Sequence, residues 1–226
     1  MKKITFLVLL MASVLTLSAQ KVNYTNADEF NKIVLSGKIN ATLVQSDKNS
    51  FDMELFNTDV NKADWGVKNG TLTIKLKTNT QKESYAEVTI YYKNVNELEI
   101  IKSKVSFDEV VDNGIFKVSV SSGGNLSMEV DTKDLSVSAD GNSAVMISGD
   151  TEYLNIDANA KSKVDARSLE AKSATVRSRF GAEVFVWGTD KLDATSGSSG
   201  VIYYKGNPEV LKVSEKMMGS VEQFSL

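Results

Sequence analysis

The stretch LSVSADGNSAVMISG (135–149) decides the fold, because the chain repeats it. It aligns with FKVSVSSGGNLSMEV (116–130) before it and with LNIDANAKSKVDARS (154–168), ATVRSRFGAEVFVWG (174–188), LDATSGSSGVIYYKG (192–206) and LKVSEKMMGSVEQF (211–224) after it. The starts are 19, 19, 20, 18 and 19 residues apart, and the alignment needs no internal gap. Self-similarity at a fixed period of this length marks a repeat architecture.

Three columns carry the pattern. Two residues after each start stand Val118, Val137, Ile156, Val176, Ala194 and Val213. Ten after stand Leu126, Val145, Val164, Val184, Ile202 and Val221. Eight after stand Gly124, Ser143, Ser162, Ala182, Gly200 and Gly219, small in every copy. A looser column fourteen after holds Gly149, Ser168, Gly188 and Gly206.

Apolar and polar residues alternate with period two in each unit, which is strand patterning. A lone unit of two short strands cannot bury its apolar side, but stacked units can. The small column fits a cramped corner. The sequence therefore predicts an all-β, right-handed parallel β-helix with rungs of about 19 residues, the hand following from the chirality of parallel crossovers. A β-sandwich of hairpins is the rival, but it does not require rungs of equal length. Charges test the register. Asp193 falls beside Lys212, Asp157 beside Arg177, and Lys163 beside Glu183, so three polar columns place opposite charges on adjacent strands.

Residues 96–226 hold the regular rungs. Residues 24–95 are strand-like but less regular, and Asn69-Gly70 between VK and TLTIKLK signals a type I′ hairpin. No linker separates the halves, so residues 20–226 read as one unit.

The segment MKKITFLVLLMASVLTLSAQ (1–20) is different. Two lysines precede an apolar core too short to span a bilayer comfortably, and Ser18-Ala19 suits signal peptidase. Residues 1–19 read as a cleaved secretory signal, which places the mature chain in the periplasm, at the cell surface or outside. No later segment is apolar for long enough to form a transmembrane helix.

Composition excludes several chemistries. The chain of 226 residues has no cysteine and no histidine, so thiol nucleophiles, disulfides, thiolate metal sites and histidine bases are absent. The formal charge is −3, and loss of Lys2 and Lys3 with the signal makes it more negative. Nucleic acid is therefore a poor partner. Asp140, Asp157 and Asp165 are the candidate carboxylates for glycoside chemistry. They do not converge: Asp140 precedes Gly141 in a turn and Asp157 has Arg177 beside it. SGSSG (196–200) lacks the lysine and the helix of a phosphate loop. The sequence assigns no catalytic residue, metal ligand or cofactor.

A surface is the stronger candidate. If positions ten and twelve point inward, eleven and thirteen point outward. That register sets Phe185 beside Tyr203, and sets Arg167, Trp187 and Lys205 in the neighbouring column. Exposed contiguous aromatics mark contact surfaces, and aromatic faces suit sugar rings.

EFNKIVLSGKINATLVQ (29–45), VKNGTLTIKLK (67–77), the Gly- and Ser-rich rungs and VIYYKGNPEV (201–210) resemble the putative auto-transporter adhesin, head GIN domain family. The resemblance covers essentially the whole mature chain. It implies a right-handed β-helix in exported proteins of Bacteroidetes-type bacteria, and it carries over no active-site residue. Two functions follow. One is a non-catalytic, adhesin-like envelope module presenting Phe185, Trp187, Tyr203, Arg167 and Lys205 to a glycan or an envelope protein, or to a second copy through this face or the solenoid end. The other is a polysaccharide lyase or hydrolase using carboxylates.

Overall fold

The computed structural model describes residues 20–25, 27–77 and 83–224. The proposed signal segment, residues 1–19, lies outside them, as does Leu226. Among the described residues no helix is long and apolar enough to cross a membrane.

The first half comprises β1 (Gln20–Tyr24), β2 (Lys32–Ser36), β3 (Ile39–Gln45), β4 (Ser50–Phe56), β5 (Ala63–Lys68), β6 (Thr71–Leu76), β7 (Tyr85–Tyr92), β8 (Glu97–Ile101) and β9 (Lys104–Phe107). The second comprises the long strands β10 (Val111–Ser121), β11 (Asn125–Ala139), β12 (Ala144–Ala158), β13 (Lys163–Arg179) and β14 (Glu183–Gly197), then β15 (Val201–Lys205), β16 (Val210–Glu215) and β17 (Ser220–Gln223). Stacked parallel pairings make a β-solenoid of about seven turns with roughly 19-residue spacing.

The repeat is the register. Phe116 pairs with Leu135, Leu135 with Leu154, Leu154 with Ala174, Ala174 with Leu192, and Leu192 with Leu211. Every start in the alignment thus lies beside the next. Val118, Val137, Ile156, Val176 and Ala194 are buried, as are Leu126, Val145, Val164, Val184 and Ile202. Burying a side chain of this size contributes about 1.5–3 kcal/mol, so the stacked columns are the main source of cohesion.

The small column has a steric cause. A Cβ on Gly200 would lie 2.4 Å from the Ser178 carbonyl oxygen, and one on Gly124 would lie 2.9 Å from a Val120 methyl. The corner also needs hydrogen bonds. Ser162 Oγ donates to the Ala139 carbonyl at 3.0 Å, and Ser178 Oγ to the Ala182 carbonyl at 2.8 Å. Beside this corner runs a stack of left-handed turns. Ser122-Gly123, Gly141-Asn142, Ala160-Lys161, Phe180-Gly181, Ser198-Ser199 and Met217-Met218 all have positive φ.

Two expectations need correction. Val213 belongs to an inward column but is 47% exposed, and Leu211 in the start column is 43% exposed. They sit in the last rung, on which no further rung packs. The alignment without gaps also fails in β13. Pairing with β12 shifts between Met146 and Ser148, so Gly149 lies beside Leu169 rather than Ser168. Pairing with β14 shifts again after Ala166, so Trp187 lies beside Glu170. The extra residues form a bulge, which bends the strand and re-aims its side chains.

The first half is β-structure with antiparallel edges. β5 and β6 form the hairpin, with Asn69 at φ 50° and Gly70 at φ 72°, both left-handed as a type I′ turn requires. β4 pairs antiparallel with β7, and β1 with β4. β2 lies between β6 and β8, and β3 between β7 and β9, all parallel. At this end Tyr24 stacks on the buried ring of Phe51 at 5.2 Å, and Trp65 meets it edge-on at 6.3 Å.

Candidate functional site

Phe185 and Trp187 alternate with the buried Val184 and Val186 on β14, so strand geometry alone turns them to the outer face. β15 pairs in register and sets Tyr203 beside Phe185 and Lys205 beside Trp187. The rings of Phe185 and Tyr203 stack with centroids 4.9 Å apart and planes at 20°. Such pairs contribute about 0.5–1.5 kcal/mol beyond area burial.

Cations cover this platform. The Arg167 guanidinium lies 4.1 Å from the Phe185 centroid, and Lys163 Nζ lies 5.0 Å from it. Lys205 Nζ lies 3.9 Å from the Trp187 ring. Arg167 is braced by Asp165, its Nε donating to Oδ1 at 2.7 Å. Phe224, just beyond β17, meets Phe185 edge-on at 6.0 Å.

The five residues singled out in the sequence are therefore brought together, and each is half-buried rather than fully exposed. Sequence spacing placed Arg167 beside Trp187. The β13 bulge puts Glu170 there and sends Arg167 over Phe185 instead. Phe224 was missed because it lies beyond the repeat's aligned columns.

The candidate carboxylates are dispersed. Asp165 holds Arg167. Asp157 accepts two hydrogen bonds from Arg179 Nη2, at 2.8 and 2.9 Å, although Arg177 is its register neighbour. Asp140 sits at a turn, as expected. Lys163 and Glu183 form the anticipated ion pair at 3.4 Å. Among the described residues no three Asp, Glu, His or Cys side chains converge to hold a metal ion.

Two features escaped the sequence reading. Asp112, Asp131, Asp150 and Glu170 pair successively on β10 to β13, forming an acidic ladder on another face. The first three are 19 residues apart, so the signal was present in the repeat. The second is a shallow groove of 570 Å³ on the platform's own face, running across the strands from Glu87 to Lys163 and Asp165.

Solved structures share this architecture. A putative adhesin from Bacteroides fragilis superposes with a TM-score of 0.82 at 21% identity, covering 92% of this chain and 97% of its own. A putative adhesin from Parabacteroides merdae gives 0.70 at 18% identity, covering 92% and 96%. A putative lipid binding protein from Parabacteroides distasonis gives 0.67 at 18% identity, with the same coverage. At these identities the likeness shows a common fold alone. No curated protein matches the chain. The profile of one family matches residues 29–208, most of the chain and nearly all of the solenoid. On that match, the chain belongs to the putative auto-transporter adhesin, head GIN domain family.

Proposed function

We propose that this chain is an exported, non-catalytic, adhesin-like module of the cell envelope, with Phe185, Trp187, Tyr203, Arg167 and Lys205 as its contact face for a glycan. The carrying observation is the cation-braced aromatic platform on the outside of a rigid sheet. Residues locked by packing and ion pairs lose little entropy on binding, so the platform is pre-organised. The family supports an adhesin-like role. The engagement of Asp157 and Asp165 with arginines argues against paired-carboxylate chemistry.

Lipid binding is the second reading, favoured by the function named for the Parabacteroides distasonis relative. The test is Trp187→Ala on a glycan array beside vesicle flotation. Unchanged thermal melting with lost glycan binding supports the proposal. Unfolding of the variant makes Trp187 a structural residue and sinks the assignment. Flotation without glycan binding favours the lipid reading.

A further inference from the structure

The groove beside the platform has an unusual lining. Outward positions on a solenoid face commonly carry long charged side chains. Here one column runs Thr89, Thr42, Ser106, Ser127 on four adjacent strands, each paired in register with the next. Among the described residues, none of the Thr42, Ser106 and Ser127 hydroxyls hydrogen-bonds another protein group. The neighbouring column holds Asn40, Lys104 and Asn125 on three of the same strands. Short side chains sink the floor, and Met146 and Asp165 lead from it to Phe185.

We infer that this groove binds a linear, β-linked glycan lying across the strands, with its end on the Phe185–Tyr203 platform. The inference rests on the contact-face reading above and specifies its ligand. Hydroxyls both donate and accept, and amides offer one donor group and one acceptor, which matches the paired demands of sugar hydroxyls. The strands repeat at about 4.8 Å, close to the length of one pyranose in an extended chain. A hydroxyl ladder at that spacing meets each successive sugar in an equivalent way. Five strand steps separate Glu87 on β7 from Asp165 on β13, a groove of roughly 24 Å that takes about five sugars. A helical α-linked glucan does not keep this repeat.

The test is calorimetry on the mature chain with β-linked gluco-, manno-, xylo- and N-acetylglucosamine oligomers, as dimers and hexamers. Maltohexaose and phosphatidylcholine–phosphatidylglycerol vesicles are the other probes. At least one β-linked hexamer is expected to bind at least about tenfold tighter than its dimer, with maltohexaose silent. Ser127→Trp fills the floor and should abolish that gain, and so should Ser106→Tyr, with melting temperatures unchanged. Two variants guard against one that misfolds. No hexamer binding, no length dependence, or binding that survives both substitutions overturns the groove. If Tyr203→Ala abolishes binding while the filled-floor variants bind normally, the platform reading stands and the groove fails. Vesicle binding alone overturns both.

Discussion

The Arg167 guanidinium rests 4.1 Å from the centre of the Phe185 ring, with its Nε held 2.7 Å from Asp165 Oδ1. The contact exists because β13 bulges between Ala166 and Glu170. Without the bulge, Arg167 would lie beside Trp187.

That relationship fixes the platform, so it can be tested directly. Arg167→Ala removes the cation and leaves Asp165 without its partner. The expected loss is about 1 kcal/mol in chemical denaturation. Arg167→Lys should recover little of it, because an ammonium cannot both lie flat on a ring and donate sideways to a carboxylate. Full recovery by lysine would show that charge alone matters.

The small column predicts a steep steric penalty. Gly200→Val drives a branched side chain toward the Ser178 carbonyl, where even a Cβ sits at 2.4 Å. The expected cost is at least about 1–3 kcal/mol, read as a fall in melting temperature. Gly114→Ala is the control, since nothing lies within 4 Å of its added Cβ. Equal effects at the two sites would remove the steric account of the column.

The acidic ladder stacks like charges on adjacent strands, an arrangement that destabilises. Asp131→Asn, in the middle, should raise stability by roughly 0.2–1 kcal/mol at low ionic strength. The gain should shrink in molar salt, where screening already weakens the repulsion. A stability loss on this substitution at low salt would contradict the repulsion.

Stability should hold to about pH 10 and fall above it. Lys32 donates a hydrogen bond to Glu97 at 2.9 Å, which lifts its ammonium above the ordinary 10.5 against a smaller opposing effect of burial. Tyr92 is raised above 10.0, first by burial of its phenol and then by the charge of Glu109. Both groups bind their proton more tightly folded than unfolded. Their contribution is complete below the unfolded values and is lost as pH rises through the folded ones. Denaturation curves at pH 9 and pH 11 should differ, and the difference should narrow in a Lys32→Met, Tyr92→Phe double variant. A late-titrating phenolate that vanishes in Tyr92→Phe would confirm the tyrosine's share.

The sequence by itself determined the regular rungs, their register and the outward pair Phe185 and Tyr203. Adjacent rungs are only 18 to 20 residues apart, so equivalent side chains lie side by side and leave matching columns in the chain. Tertiary structure alone decided the rest. β2 pairs with β8 although Ile33 and Leu98 are far apart in sequence, and β6, later in the chain, packs on the other side of β2. Strands inserted between stacked neighbours leave no fixed period, so neither that order nor the Thr42–Ser106–Ser127 ladder was legible. The β13 bulge was equally hidden, because an extra residue is accommodated by strand curvature and leaves the flanking columns in phase. It moved Arg167 from Trp187 to Phe185, and with it the detailed shape of the site.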